Sequence, residues 1–140
     1  MKLELSDFLY KEKYPVHWGE LDAAKHVNNL MYLKWTETLR VKFCESIGID
    51  TSFDSGTTGI ILGAQYCKYI FPMRFPDNAI VGLKVQSIES DRFTILSGIF
   101  SEKHERIAAW STHDIIAYDY GDLKKVEVPD SWKNELKKYT

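Results

Sequence analysis

The sequence predicts one α+β domain spanning residues 1–140, with a long central helix wrapped by a curved antiparallel five-stranded sheet. Three observations predict it. Residues 29–47 contain neither Gly nor Pro and carry apolar side chains around most of a helical circumference, the mark of a helix covered by other structure. Four strand-like segments follow, at residues 60–71, 79–89, 92–100 and 106–119, with short connectors between them. One helix cannot cover both faces of such a sheet, so a sheet curved around the helix is the economical arrangement.

Taken in order, "KYPVHWG" places Tyr14, Val16 and Trp18 on one face of an early strand. The helix comes next, and Gly48 supplies its C-terminal stop. "DTSFDSGTTG" reads as a loop from its Asp, Ser, Thr and Gly content. The strand at 60–71 ends at Pro72, and the strand at 79–89 sets Val81, Leu83 and Val85 on one face. The connectors "PMRFPDN", "SD" and "SEKHE" suit an antiparallel meander. Pro129, Asp130 and "SWKNELKKY" indicate a short terminal helix with an acidic start and a basic end. Free sheet edges and leftover apolar surface predict a homodimer.

Composition removes several function classes. Twenty acidic and eighteen basic residues give a net charge of −2, which offers nothing to nucleic acid or an anionic membrane. The high aromatic content, without a basic stripe, suits core and pocket lining better than base stacking. No apolar run is long enough to span a bilayer, and no basic start leads into an apolar stretch, so neither a membrane helix nor a signal peptide is expected. Cys44 and Cys67 stand alone and read as buried thiols of a reducing compartment, which places the chain in the cytoplasm.

The candidate chemistry lies between the first strand and the helix, in "GELDAAKHVNNLMYLKW". Asp22 precedes Asn29, the first residue or cap of the helix, by seven positions. A helix start presents unpaired N–H groups and partial positive charge, a site for the oxyanion of an acyl-transfer intermediate. A carboxylate held across a cleft from those donors could attack a carbonyl or deprotonate a water. Asp, His and Asn are equally ordinary turn and capping residues, so the pattern alone also describes a capped helix start. His17, Glu20, Asp22 and His26 lack the spacing of a metal site, and no metal is expected. His104 and His113 sit in no motif and read as ordinary surface or core histidines. Glu37 and Arg40 stand at ion-pair spacing, with Glu37 either a structural acid or a second catalytic carboxylate. There is no nucleophile elbow, Walker loop or dinucleotide fingerprint.

"WGELDAAKHVNNLMYLKWTETLR" resembles the signature of hotdog-fold acyl-CoA thioesterases of the 4-hydroxybenzoyl-CoA thioesterase type. That signature has an aspartate, His-Val-Asn-Asn four residues later, a Tyr three beyond, and Glu-x-x-Arg further along the helix. Here these are Asp22, His26 to Asn29, Tyr32, Glu37 and Arg40. The resemblance continues through "YIFPMRFPDNAIVGLKV" and "AYDYGDLKKVEVPDSW". It implies the hotdog fold, active sites at a dimer interface within a homodimer or homotetramer, and hydrolysis of acyl-CoA to a carboxylic acid and free CoA without metal or bound cofactor. By resemblance, Asp22 is the nucleophile or general base, and the backbone N–H of Asn29 polarises the thioester carbonyl. Asn28 and His26 shape the loop.

The plant acyl-carrier-protein thioesterases are similar, but they carry an asparagine two residues after the aspartate, where this chain has Ala24. That departure makes His26 secondary. Family members hold the CoA phosphates with basic residues, for which Arg92, Arg74 and Lys68 are the candidates here, although each is also an ordinary surface charge. Leu33, Trp35, Phe53, Ile61 and Tyr66 are candidates to line the acyl pocket. A hotdog protein that binds acyl-CoA without turnover, and a hotdog hydratase or dehydratase, remain as alternatives.

Overall fold

The computed structural model describes residues 2–54 and 56–140. In it, β1 (Tyr10–Pro15) leads through a 3-10 turn and a bridged loop to α1 (Asn29–Ser46). Then come β2 (Thr58–Tyr69), β3 (Asn78–Ile88), β4 (Arg92–Ser101), β5 (Arg106–Asp119), the two-residue β6 (Lys124–Lys125) and α2 (Asp130–Leu136). The strands form one antiparallel sheet in the order β1-β3-β4-β5-β2, with β6 paired to β5. Register shifts at Leu62/Ala64, Val85/Ser87 and Ile99/Phe100 bend it. The sheet curls into a half-barrel with α1 against its inner face.

Val81, Leu83 and Val85 of β3, with Phe93 and Ile95 of β4, face inward as the alternation requires. On α1 the buried positions Tyr32, Trp35, Thr36, Leu39, Arg40, Phe43 and Cys44 recur every three or four residues along one face. The helix is therefore covered on one side and not wrapped all round. Its other side keeps Lys34, Glu37 and Lys42 in solvent, and Leu30 is 64% exposed. Cys44 is buried, which pushes its thiol up to about 12, whereas Cys67 is only half-buried.

The first strand lies earlier than the alternation of Tyr14, Val16 and Trp18 predicts. The ladder to β3 ends at Pro15, with one further bond from Val16 N–H to Asp77 O before the chain leaves the sheet. The chain then makes a single 3-10 turn at Trp18–Glu20, where the N–H of His17 donates to Glu20 Oε1 at 2.7 Å. Trp18 consequently points outward, 74% exposed.

The connector after β2 also departs from a meander. β2 and β1 occupy opposite edges, so residues 70–77 cross the end of the sheet past β5 and β4 to reach β3. Three strand spacings amount to about 15 Å, within reach of eight residues. This crossover is tied down along its length. The N–H groups of Ile70 and Phe71 donate to Ala108 O, Met73 is fully buried, and Asp77 O accepts from Val16 N–H at 2.9 Å.

A smaller cluster covers the outer face, where Phe8 packs with Leu96 and Phe100. Phe8 sits on Gly82 and Gly98, which are paired across β3 and β4. A Cβ on Gly82 would lie 2.6 Å from Phe8 Cβ, so the close approach requires glycine there. At the other end of the chain, α2 buries Trp132 and Leu136, and Tyr139 meets the ring of Phe43 edge-on at 4.9 Å.

Candidate active site

The loop carrying Asp22 is closed by a bridge between Leu21 and Val27. Within it, Asp22 Oδ1 accepts from the N–H groups of Ala24 at 2.9 Å and His26 at 3.2 Å. The N–H of Lys25 donates back to Asp22 O at 2.9 Å, and Lys25 takes a left-handed φ of 63° to allow it. One carboxylate oxygen is thus committed to the turn. Among the described residues nothing donates to Oδ2, and Asp22 as a whole is exposed.

The helix start is built from the other side. Asn28 caps α1, its Oδ1 accepting from Leu30 N–H at 2.9 Å, and its own N–H donates to Glu20 O. Val27 N–H donates to Met73 O at 2.8 Å, which seats the helix start on the crossover. Among the described residues nothing accepts the N–H of Asn29. It is one of the orphan donors of a helix N-terminus, with the partial positive charge of the helix behind it.

Asp22, His26 and Asn29 line one cleft of about 270 Å³, with Tyr32, Tyr69 and the start of the crossover as its remaining walls. Tyr69 of β2 donates its hydroxyl to Asn29 O at 3.0 Å, and Tyr32 Oη accepts from Met73 N–H at 3.2 Å. Burial pushes the Tyr32 hydroxyl above the usual phenol range, so it keeps its proton.

Asp22 also lines a second cleft, of about 410 Å³, with Trp18, Lys25, Arg74 and Phe75. Neither Lys25 nor Arg74 has a carboxylate within ion-pair distance among the described residues. The acid therefore stands where an electropositive, aromatic-walled opening meets the cleft at the helix start.

The other sequence candidates fall elsewhere. Asn28 spends its side chain on the cap. His17 and Glu20 pair with each other at 3.3 Å. Lys68 lies on the exposed edge strand β2. Arg92 begins β4, whose other end meets the crossover side of the sheet, and its Nε donates to Asp91 Oδ1 at 2.9 Å. Trp18, Lys25, Phe75 and Tyr69 line the two clefts without belonging to the sequence motif. The exposed aromatic beside the aspartate loop was the available signal, hidden because alternation assigned Trp18 to a strand.

A third polar group lies deeper, between α1 and the sheet. Arg40 Nη1 approaches His113 Nδ1 at 3.4 Å, and His113 Nε2 lies 2.8 Å from Ser111 Oγ. Gln65 Oε1 is 3.1 Å from the same Nδ1. Burial, reinforced by the Arg40 charge, pushes His113 down to about 4, so the ring is neutral. With Gln65 Oε1 the nearer group, the neutral ring donates from Nδ1 to Gln65 and accepts the Ser111 hydroxyl at Nε2.

Several solved structures share this architecture. Slr0204, a 1,4-dihydroxy-2-naphthoyl-CoA thioesterase from Synechocystis, superposes with a TM-score of 0.80 at 16% identity, over 91% of this chain and 94% of its own. BH1999, a gentisyl-coenzyme A thioesterase, gives 0.78 at 19%, over 90% and 98%. SAV2348 from Staphylococcus aureus, solved in complex with CoA, gives 0.85 at 13%, over 93% and 82%. At these identities the likeness is one of fold. No curated protein sequence gives a significant match. The model of the Thioesterase-like superfamily matches residues 16–136, a stretch that carries the aspartate loop, the helix start and both clefts, and the chain belongs to that hotdog-fold superfamily.

Proposed function

We propose that the protein hydrolyses acyl-CoA thioesters to a carboxylic acid and free CoA. The observation that carries this reading is the pairing, in one cleft, of an unengaged carboxylate oxygen on Asp22 with the orphan N–H of Asn29. A thioester carbonyl accepting from Asn29 N–H would place its developing negative charge at the positive end of α1. Asp22 then acts in one of two balanced ways. Its Oδ2 attacks the carbonyl carbon and expels the CoA thiolate, leaving a mixed anhydride that water cleaves. Alternatively it takes a proton from a water that attacks directly. Neither route calls for a metal or redox cofactor.

The opening between Trp18 and Phe75 suits the CoA arm, with Lys25 and Arg74 to meet its phosphates. The CoA complex of the fold neighbour SAV2348 supports a ligand of that type. His26 lines the reacting cleft, and its main chain shapes the aspartate loop. A second copy of the chain fits the open edge at β2, where Ile61, Leu62, Tyr66 and Tyr69 are exposed. An acyl-carrier-protein thioester would use the same two reacting groups.

The test is free-thiol release from short, long and aromatic acyl-CoAs by the unmodified protein and by Asp22→Asn. Release that disappears in the variant, with circular dichroism unchanged, supports the reading. Saturable acyl-CoA binding without release would make the protein a binding module, and equal release by both proteins would remove Asp22 from the mechanism.

A further inference from the structure

The two phenols that wall the reacting cleft use their protons differently. Tyr69 gives its O–H to Asn29 O at 3.0 Å. Tyr32 is 3% exposed, and its Oη accepts from Met73 N–H at 3.2 Å. That bond takes a lone pair and leaves the phenol's own proton, for which no acceptor stands within hydrogen-bond distance among the described residues. A buried donor of this kind is costly until an acceptor reaches it, and an oxygen entering the cleft would be one. Tyr69 and Trp35 meet the Tyr32 ring edge-on, at 5.4 and 5.7 Å between centroids, and hold it in place.

The hydroxyl stands among the reacting groups. Tyr32 follows Asn29 by three positions on α1, and helical side chains lean toward the N-terminus, so its ring lies over the turn that presents Asn29 N–H. The amide it accepts from joins Met73 to Pro72, and Pro72 walls the same cleft as Asp22, Asn29 and Tyr32. Burial is the main cause that holds the phenol protonated, and the Asp22 charge is near enough to add to it. We propose that Tyr32 is a catalytic residue whose O–H donates to the thioester carbonyl oxygen beside Asn29 N–H. This rests on the thioester reading of the Asp22–Asn29 cleft. When Asp22 or its water attacks the carbonyl carbon, the π pair moves onto oxygen, where two donors meet the charge in place of one. The pair returns to re-form the carbonyl as the C–S bond breaks and the CoA thiolate leaves, and the phenol keeps its proton throughout. Met73 N–H, donating to the same Oη, polarises the phenol and strengthens its donation.

Thiol release from hexanoyl-CoA and benzoyl-CoA by Tyr32→Phe should fall about 10²-fold in kcat, the usual worth of one oxyanion donor, with KM little changed. A kcat close to that of the unmodified protein overturns the proposal while leaving thioester hydrolysis and the role of Asp22 intact. The second readout is the infrared stretch of an isotopically labelled carbonyl in the ketone analogue of hexanoyl-CoA, which has CH2 in place of sulfur and binds without being cleaved. Loss of a donor in Tyr32→Phe should raise the frequency of the bound carbonyl. A Tyr32 that only anchors Met73 would lower the melting temperature and leave the stretch where it was, which overturns the proposal. Should Tyr32→Phe not fold, a fluorotyrosine at position 32 keeps the Met73 bond and is the stronger donor, so the stretch should fall. No movement there overturns the proposal as well. Because the analogue is never turned over, the stretch reads the Tyr32 contact even where no thiol is released, and failure of this proposal is told apart from failure of the thioester reading.

Discussion

Asp22 and His26 hold one another twice: the N–H of Asp22 donates to His26 O at 2.7 Å, and Asp22 Oδ1 accepts from His26 N–H at 3.2 Å. The carboxylate is thereby aimed before any substrate arrives, and preorganisation of this kind is what makes a placed charge effective. Both bonds run through the main chain of His26. Its imidazole is not needed for them.

Replacing Asp22 by Asn keeps an Oδ1 acceptor for Ala24 and His26 while removing the charge. Thiol release by Asp22→Asn should fall by ~10²–10⁴, the usual worth of a positioned base, with the melting temperature little changed. His26→Ala should lose far less, because the turn survives it. A His26→Ala loss as large as that of Asp22→Asn would show that the ring takes part in the chemistry.

Lys25 and Arg74 have no ion-pair partners among the described residues and flank the outer cleft. The double variant Lys25→Ala/Arg74→Ala should raise KM for acyl-CoA about tenfold or more, as two charge-assisted contacts are lost, with a smaller change in kcat. With the corresponding acyl-pantetheine, which lacks the nucleotide, the penalty should shrink. A penalty of equal size on both substrates would place these residues elsewhere than at the phosphates.

His113 couples stability to pH. The ring takes a proton near 6.5 when unfolded and only near 4 when folded, so unfolded chains bind more protons between those values. Stability is therefore fully present above about 6.5 and declines as pH falls toward 4. Carboxylates held low by their partners, such as Glu12 beside Lys42, act only below about 4.5. Urea unfolding between pH 7 and 5 should show this slope, and His113→Gln should flatten it. An unchanged slope in the variant would mean that another group titrates in that window.

Gly82→Ala sets a Cβ 2.6 Å from Phe8 Cβ, an atom with little freedom to yield. The expected cost is about 1–3 kcal/mol of stability, as for other overpacked sites. In the Phe8→Ala background the same change should cost much less, since the clash partner is gone and the two residues touch. Additive losses in a urea double-mutant cycle would disprove that contact.

Much of the frame was legible from local pattern. α1 and the strands β3 to β5 lie within about a residue of the spans that periodicity and turn residues indicate. The alternation runs on past Pro15, whereas the chain leaves the sheet there for the 3-10 turn at Trp18–Glu20. The position of β2 was not legible at all. An eight-residue connector serves a hairpin or a crossover equally, and sheet order is decided by tertiary packing. At the site, Asp22 and Asn29 could be read because they are seven residues apart in one motif. Trp18 and Phe75 meet across 57 positions, and Arg40 and His113 across 73, distances at which spacing carries no signal. For Arg40 the sequence offered only its local neighbour Glu37, which the structure holds at 3.9 Å.

The crossover at residues 70–77 has a consequence for how such a protein can diversify. Met73 is fully buried, and its main chain anchors both Val27 and the Tyr32 hydroxyl, so the start of α1 is tied to the sheet through one short segment. One and two residues further on, Arg74 and Phe75 are exposed and form part of the outer wall with Trp18 and Lys25. Substitutions at those wall positions alter what is recognised and leave the anchor untouched. A lineage built on this chain is free to reshape the outer wall by surface drift, while the geometry of the helix start stays under the far stricter selection that acts on the core.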